Sequence, residues 1–167
     1  MLISDDYRQM NKELHAKGNY GVMGANYAPM VREIVNGASI ATILDYGAGQ
    51  CRLAKALPDL NFQNYDPAIE GLDSDPEPAD LVTCTDVLEH IEPECLDEVL
   101  DHIGRLALRH VFLVVATRPA AKFLSDGRNA HLIQEQIDWW LPKLTGRWTM
   151  QLVQATPGEF IFVGARK

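Results

Sequence analysis

Two groups of residues in this chain have types and spacings suited to chemistry. The first is Asp45-Tyr46-Gly47-Ala48-Gly49, with Asp66 placed 19 residues after Gly47. The apolar run Ile40 to Leu44 reads as a buried strand ended by Asp45, and Gly47 and Gly49 supply a tight turn. From Gln50 the pattern turns helical, with Leu53, Ala56 and Leu57 on one face. A strand, a glycine turn and a helix start form a cradle of backbone N–H groups at the carboxyl edge of a parallel sheet. A carboxylate beside such a turn repels a pyrophosphate and suits a cationic ligand. Asp66 ends a second short strand, Asn61 to Tyr65, where a carboxylate is placed to accept hydrogen bonds from a pair of ribose hydroxyls. The second group is Asp86-x-x-Glu89-His90, followed much later by His131. If a helix starts at Asp86, spacings of three and four put all three side chains on one face, as candidate bases beside an acceptor. With His131 as a fourth member, the mixed oxygen and nitrogen set suits Mg, Mn or Fe(II) better than a sulfur-rich zinc site.

The elements that must position these residues follow from periodicity and punctuation. A helix is expected over residues 4–17, capped by Ser4 with Asp5 and Asp6 in its first turn, then broken at Gly18-Asn19-Tyr20-Gly21. A second is expected from Tyr27 to Asn36, with Pro29 in its first turn and Gly37 ending it. Asp80 to Cys84 reads as a strand leading into Asp86, and a long helix from Glu92 carries Leu96, Val99, Leu100, Ile103 and Leu106 at helical spacing. Residues 70–79, acidic and rich in proline, leave little room for another strand. Val111 to Ala116 is apolar throughout, as in a central strand covered on both faces. A helix from Ile133 to Leu144 carries Trp139 and Trp140, assigned to an edge and the core. Trp148 to Gln154 and Phe160 to Ala165 flank Thr156-Pro157-Gly158 as a hairpin. His15, His102 and His110 are expected on the surface or in packing.

The run from Ile40 to Ala54 resembles motif I of the class I S-adenosylmethionine-dependent methyltransferases: an apolar strand, an acid, then Gly-x-Gly-x-Gly, with Cys51 at the third glycine. Val87-Leu88-Glu89-His90 after a strand is a second resemblance, and the closing hairpin is a third. Together they cover roughly residues 40–116 by motif and the rest by architecture. The resemblance implies an α/β fold: a three-layer, Rossmann-like, mostly parallel sheet with helices on both faces and a C-terminal antiparallel β-hairpin. It implies one domain over 1–167, with 1–37 as a helical cover in which Tyr20 and Tyr27 line the site and 38–167 as the core, trimmed of its third strand–helix unit. S-adenosylmethionine is then the cofactor, bound by Asp45, Gly47, Ala48, Gly49, Asp66, Pro67, Thr85 and Asp86. Asp86, Glu89, His90 and His131 face the acceptor. Their pattern is similar to that of the metal-assisted methyltransferases of small-RNA 3′ ends and of quinone biosynthesis, which implies a site for Mg or Mn. The first acid here is Asp, where those enzymes have Glu, and no separate RNA-binding module is present. The implied reaction is methyl transfer to an oxygen of a small-molecule or nucleotide-end acceptor. A non-catalytic cofactor-binding scaffold stays open beside it, while Asp45 and Arg52 disfavour a dehydrogenase.

Composition sets the outer limits. The 167 residues are 47% hydrophobic and 23% charged, as in an ordinary globular chain with a core. The net charge of −8 argues against broad binding to duplex nucleic acid. That charge is uneven. Residues 1–104 hold 6 basic and 19 acidic residues, and residues 105–167 hold 9 and 4, so the second part suits an anionic acceptor. No apolar stretch reaches membrane-spanning length, and the first residues lack the pattern of a signal peptide. Cys51, Cys84 and Cys95 read as reduced thiols, which points to the cytoplasm. The oligomeric state is left open.

Overall fold

The computed structural model describes residues 1–18 and 20–167; Asn19, in the expected helix-breaking stretch, lies outside the described residues. Its strands are β1 (Ile43–Tyr46), β2 (Phe62–Tyr65), β3 (Ala79–Thr85), β4 (Ala107–Ala116), β5 (Trp148–Thr156) and β6 (Glu159–Arg166). Its α-helices are α1 (Asp5–Ala16), α2 (Ala28–Ala38), α3 (Arg52–Ala56), α4 (Leu96–Leu106) and α5 (Ile137–Arg147). The strands form one sheet in the order β2-β1-β3-β4-β6-β5. The first four are parallel, and the hairpin β5–β6 adds antiparallel to β4. Residues 70–78 contain no strand, so the sheet passes from β2 to β3 without a further unit at its edge.

Alternation along β4 explains the three layers. Val111, Leu113 and Val115 join one core with Leu96, Val99, Leu100 and Ile103 of α4 and Trp140 of α5. Phe112 and Val114 join a second core on the opposite face with Val31 and Val35 of α2 and Leu53 of α3. Both faces are therefore covered, as the unbroken apolar run predicts. A third, smaller cluster lies apart from these two. It joins Tyr7 and Leu14 of α1 to Leu124 and Ala130 of the loop after β4.

Several element limits differ from the sequence-based expectation. β1 begins at Ile43 because the Asp80 carboxylate accepts from the amides of Ala41 and Thr42, at 2.9 and 3.3 Å, and diverts them from the ladder. Asp45 does not end the strand but lies buried inside it, with its carboxylate accepting from Thr83 Oγ1 at 2.9 Å. Helix α2 runs through Gly37 to Ala38 and stops at Ser39, whose φ of 52° is left-handed. Helix α5 starts at Ile137 instead of Ile133, because the Ile133 amide donates to the Glu89 carbonyl at 2.9 Å. Trp140 is fully buried and Trp139 partly exposed. The Ser4 cap forms, accepting from the Tyr7 amide at 3.2 Å. Among the described residues, no helix is long and apolar enough to cross a membrane.

Candidate active site

One cleft of about 350 Å³ opens at the carboxyl edge of the parallel strands. One end is built mainly from backbone. The amides of Gly47 and Ala48 both donate to the Tyr65 carbonyl, at 2.8 and 2.9 Å, which folds the turn across the tip of β2. Gly47 has φ 78°, and a Cβ there would lie 2.4 Å from a Val87 methyl; at Gly49, φ 51°, it would lie 2.8 Å from the Gly21 carbonyl oxygen. Side chains are thus excluded at both positions by strain and by contact. Cys51, at the third position of the motif, keeps the left-handed backbone a glycine would favour, with φ 54°. Asp66 accepts from the amides of Gly49 and Ala68, each at 3.0 Å, so the second strand's acid is tied to the turn. Asp45 is buried; desolvation pushes its pKa up to about 7, opposed by the Thr83 hydroxyl and helped by Asp66.

The other end is built from side chains on separate segments. Asp86 leaves β3 with a left-handed φ of 53°, its amide donating to the Val114 carbonyl at 3.1 Å. Its carboxylate faces the Tyr27 hydroxyl at 3.4 Å, and that hydroxyl also faces Glu159 at 3.3 Å. Burial and then Glu159 push the Asp86 pKa up to about 6. Glu89 is wholly buried, and desolvation with the Asp86 charge raises its pKa well above the usual value. Its Oε1 accepts from the Ala116 amide at 3.2 Å, while Oε2 is buried with no hydrogen-bond partner among the described residues. His90 Nδ1 lies 2.7 Å from the Ala130 carbonyl and 3.1 Å from the Tyr20 hydroxyl, and His131 Nδ1 lies 2.6 Å from the Arg118 carbonyl. A carbonyl only accepts, so both Nδ1 atoms carry the proton and both Nε2 atoms keep a free lone pair. Burial lowers both pKa values, that of His90 to about 3, which keeps the rings neutral.

The expected helix face at Asp86, Glu89 and His90 does not form. The left-handed residue at Asp86 breaks the chain, and Leu88–His90 is a single 3-10 turn before α4. Tertiary contacts nevertheless bring Glu89, His90 and His131 together. One ligating atom of each lies within 4.8 Å of the others, and the two rings meet edge to face at 4.6 Å. Asp86 is outside this group, because the left-handed turn and the short side chain direct its carboxylate toward Tyr27 and Glu159. Asp45, Gly47, Ala48, Gly49, Asp66, Pro67, Thr85, Asp86, His90 and His131 all line the one cleft. Glu89 lies behind its wall. His15, expected on the surface or in packing, also lines the cleft, with Nε2 4.0 Å from Asp66. Tyr7 and Asn11 join it there; helical periodicity marks Tyr7 only as apolar and gives Asn11 no signal. Glu159, at the first residue of the returning strand, has no local pattern that would reveal it.

No family model matches the chain, and no curated protein matches it. Solved structures do. The chain superposes on 1,6-didemethyltoxoflavin-N1-methyltransferase from Burkholderia thailandensis, solved with its acceptor and S-adenosylhomocysteine, with a TM-score of 0.70 at 14% identity, covering 96% of this chain and 87% of that one. For the DhpI complex with S-adenosylhomocysteine the TM-score is 0.62 at 16% identity, with 98% of each chain covered. For an O-methyltransferase-like protein from Nostoc punctiforme it is 0.62 at 15%, and this chain spans only 57% of that protein's length. The fold is that of the class I S-adenosylmethionine-dependent methyltransferases.

Proposed function

We propose that this chain transfers a methyl group from S-adenosylmethionine to an oxygen of a small-molecule or nucleotide-end acceptor carrying negative charge. The observation that carries this reading is one continuous cleft. It joins the Gly47–Gly49 turn, Asp45 and Asp66 at one end to Asp86, His90 and His131 at the other. Two carboxylates at the first end suit a sulfonium and a ribose. Arg118 and Lys122 line the second end and match an anionic acceptor.

S-adenosylmethionine supplies an activated methyl group and a neutral thioether as leaving group. The chain's own residues align and deprotonate. The Gly47–Gly49 backbone and Asp66 hold the donor, so that an acceptor oxygen between Asp86 and His131 lies in line with it. As the new C–O bond forms and the C–S bond breaks, the sulfur keeps the electron pair and the acceptor's proton passes to Asp86. Its raised pKa makes it a base effective near neutral pH.

The residues present also fit a divalent cation, with three ligands in place of the four expected. Glu89 Oε2 is buried and unpartnered among the described residues, and the two Nδ1–carbonyl contacts leave His90 Nε2 and His131 Nε2 as lone-pair donors oriented by their outer partners. When bound, such a cation lowers the pKa of an acceptor hydroxyl and orients it. Asp86, outside the set, remains the proton acceptor.

Calorimetric titration with S-adenosylhomocysteine, with and without Mn²⁺ or EDTA, tests the reading. The expected results are micromolar binding with a loss of about tenfold or more in Asp66→Ala, and, in a separate titration with Mn²⁺, binding that disappears in His131→Ala. Absence of S-adenosylhomocysteine binding in every condition would reject the proposed cofactor, and absence of Mn²⁺ binding, or its survival in His131→Ala, would reject the cation site.

A further inference from the structure

Residues 117–136 join β4 to α5 without a helix or strand, and hold an isolated bridge between Phe123 and Asn129. A connection of this length is ordinarily the mobile part of a domain. Here it carries three groups on which the candidate cation site depends. They are the His131 ring, the Arg118 carbonyl that faces His131 Nδ1, and the Ala130 carbonyl that faces His90 Nδ1. These groups lie on two limbs, Arg118 on the outgoing one and Ala130 and His131 on the returning one. The Asn129 side chain ties the limbs together. Its Oδ1 accepts from the amides of Ala120 and His131, each at 2.9 Å, and its Nδ2 donates to the Ala120 carbonyl at 2.9 Å. The Ala130 amide adds a backbone bond to the Lys122 carbonyl at 2.9 Å. Asn129 itself is half-buried.

We propose that Asn129 is a positioning residue of the cation site: by fixing the two limbs against each other it holds the Arg118 and Ala130 carbonyls on the imidazoles, and so keeps the Nε2 lone pairs of His131 and His90 for the metal. The inference rests on the cation reading given above. The His131 contact depends on Asn129 most directly. Its acceptor, Arg118, is separated from Ala120 only by Pro119, whose ring fixes φ, so pinning Ala120 also places the Arg118 carbonyl. The same side chain pins the His131 amide. Both partners of the 2.6 Å contact are therefore set by one carboxamide. His90 is one step further away, because its acceptor Ala130 lies between Asn129 and His131 in the chain. A neutral imidazole carries one proton, on either nitrogen. A carbonyl at Nδ1 keeps the proton there; without it the ring is free to carry the proton on Nε2, where it blocks a metal. The place requires a carboxamide, which accepts from two N–H groups and donates to a carbonyl at once. A carboxylate keeps the accepting pair and loses the donor, and a methyl group loses all three bonds.

The test uses the full chain and two readouts: nitrogen NMR of the imidazole rings, which reports the tautomer, and titration with Mn²⁺. In the parent both His90 and His131 are expected in the Nδ1–H form. Asn129→Ala, and Asn129→Ser, whose hydroxyl is too short to reach Ala120, are expected to give His131 a mixture of tautomers and to weaken Mn²⁺ binding about tenfold or more. Asn129→Asp keeps both accepting bonds and is expected to keep the Nδ1–H form. The serine variant makes the smaller lesion and decides the matter where the alanine variant does not fold. A parent that binds no Mn²⁺ overturns the cation reading on which the inference rests. A parent that binds it, with the same tautomers or the same Mn²⁺ affinity in Asn129→Ala or Asn129→Ser, overturns the inference alone. So does a shift of tautomers in Asn129→Asp as large as that in Asn129→Ala.

Discussion

The two ends of the cleft are made in opposite ways. At the end proposed for the cofactor, Gly47, Ala48 and Gly49 present their backbone, and Asp66 reaches the Gly49 amide from the next strand over 3.0 Å. At the end proposed for the acceptor, the side chains of Asp86, Glu89, His90 and His131 converge from the turn after β3, a 3-10 turn and the loop before α5. Both ends bury a carboxylate, Asp45 at the first and Glu89 at the second, and both hold a non-glycine residue at a positive φ, Cys51 and Asp86. The second adds two imidazoles kept neutral by burial. The difference lies in which atoms line the cleft: contiguous backbone at the first end, side chains from distant segments at the second.

That contrast can be broken by substitution, most severely at the turn. Gly47→Ala places a Cβ 2.4 Å from Val87 at a left-handed φ. It is expected to reduce affinity for S-adenosylhomocysteine about a hundredfold or more while a Mn²⁺ titration still finds its site. Loss of both together would mean the two ends are one cooperative unit.

Glu89→Gln has the opposite profile. The folded-state pKa of Glu89 lies above its unfolded value. The folded protein therefore holds more protons, and stability falls as pH rises from the unfolded pKa, near 4.5, toward the folded one. Removing the charge is expected to raise the thermal midpoint at pH 8 by a few degrees and leave it unchanged near pH 4, while Mn²⁺ binding is lost. A lower midpoint at pH 8 would show that the buried carboxylate stabilises the fold.

Tyr27→Phe is the mildest. The Tyr27 hydroxyl lowers the Asp86 pKa, which burial and Glu159 otherwise raise to about 6. Without it the Asp86 titration followed by NMR is expected to move upward by less than about one unit, with cofactor affinity unchanged. A downward move would remove Tyr27 from the Asp86 environment.

Legibility in the sequence divides along the same line. The fold class, the hairpin and the absent third unit can be read because each follows from local signals: strand period, glycine punctuation and the proline-rich stretch 70–79. The turn can be read because its residues are contiguous. The acceptor end can be read only as a list of residue types. Its expected helix at Asp86 fails because a single left-handed residue is invisible to periodicity. The removal of Asp86 from the ligand group depends on Tyr27 and Glu159, which are 59 and 73 residues from it in the chain. His15 approaches Asp66 only because α1 folds back over the sheet's edge, which no local pattern encodes.

The small cluster of Tyr7, Leu14, Leu124 and Ala130 has a thermodynamic consequence of its own. It ties α1 to the loop after β4, yet shares none of its side chains with the two large cores. Separating α1 from that loop exposes this one cluster and the few polar contacts beside it, and leaves the apolar layers on both sheet faces closed. The free energy for uncovering the cleft is therefore set locally, well below that of global unfolding. Opening at this cluster need not draw on the stability of the sheet at all.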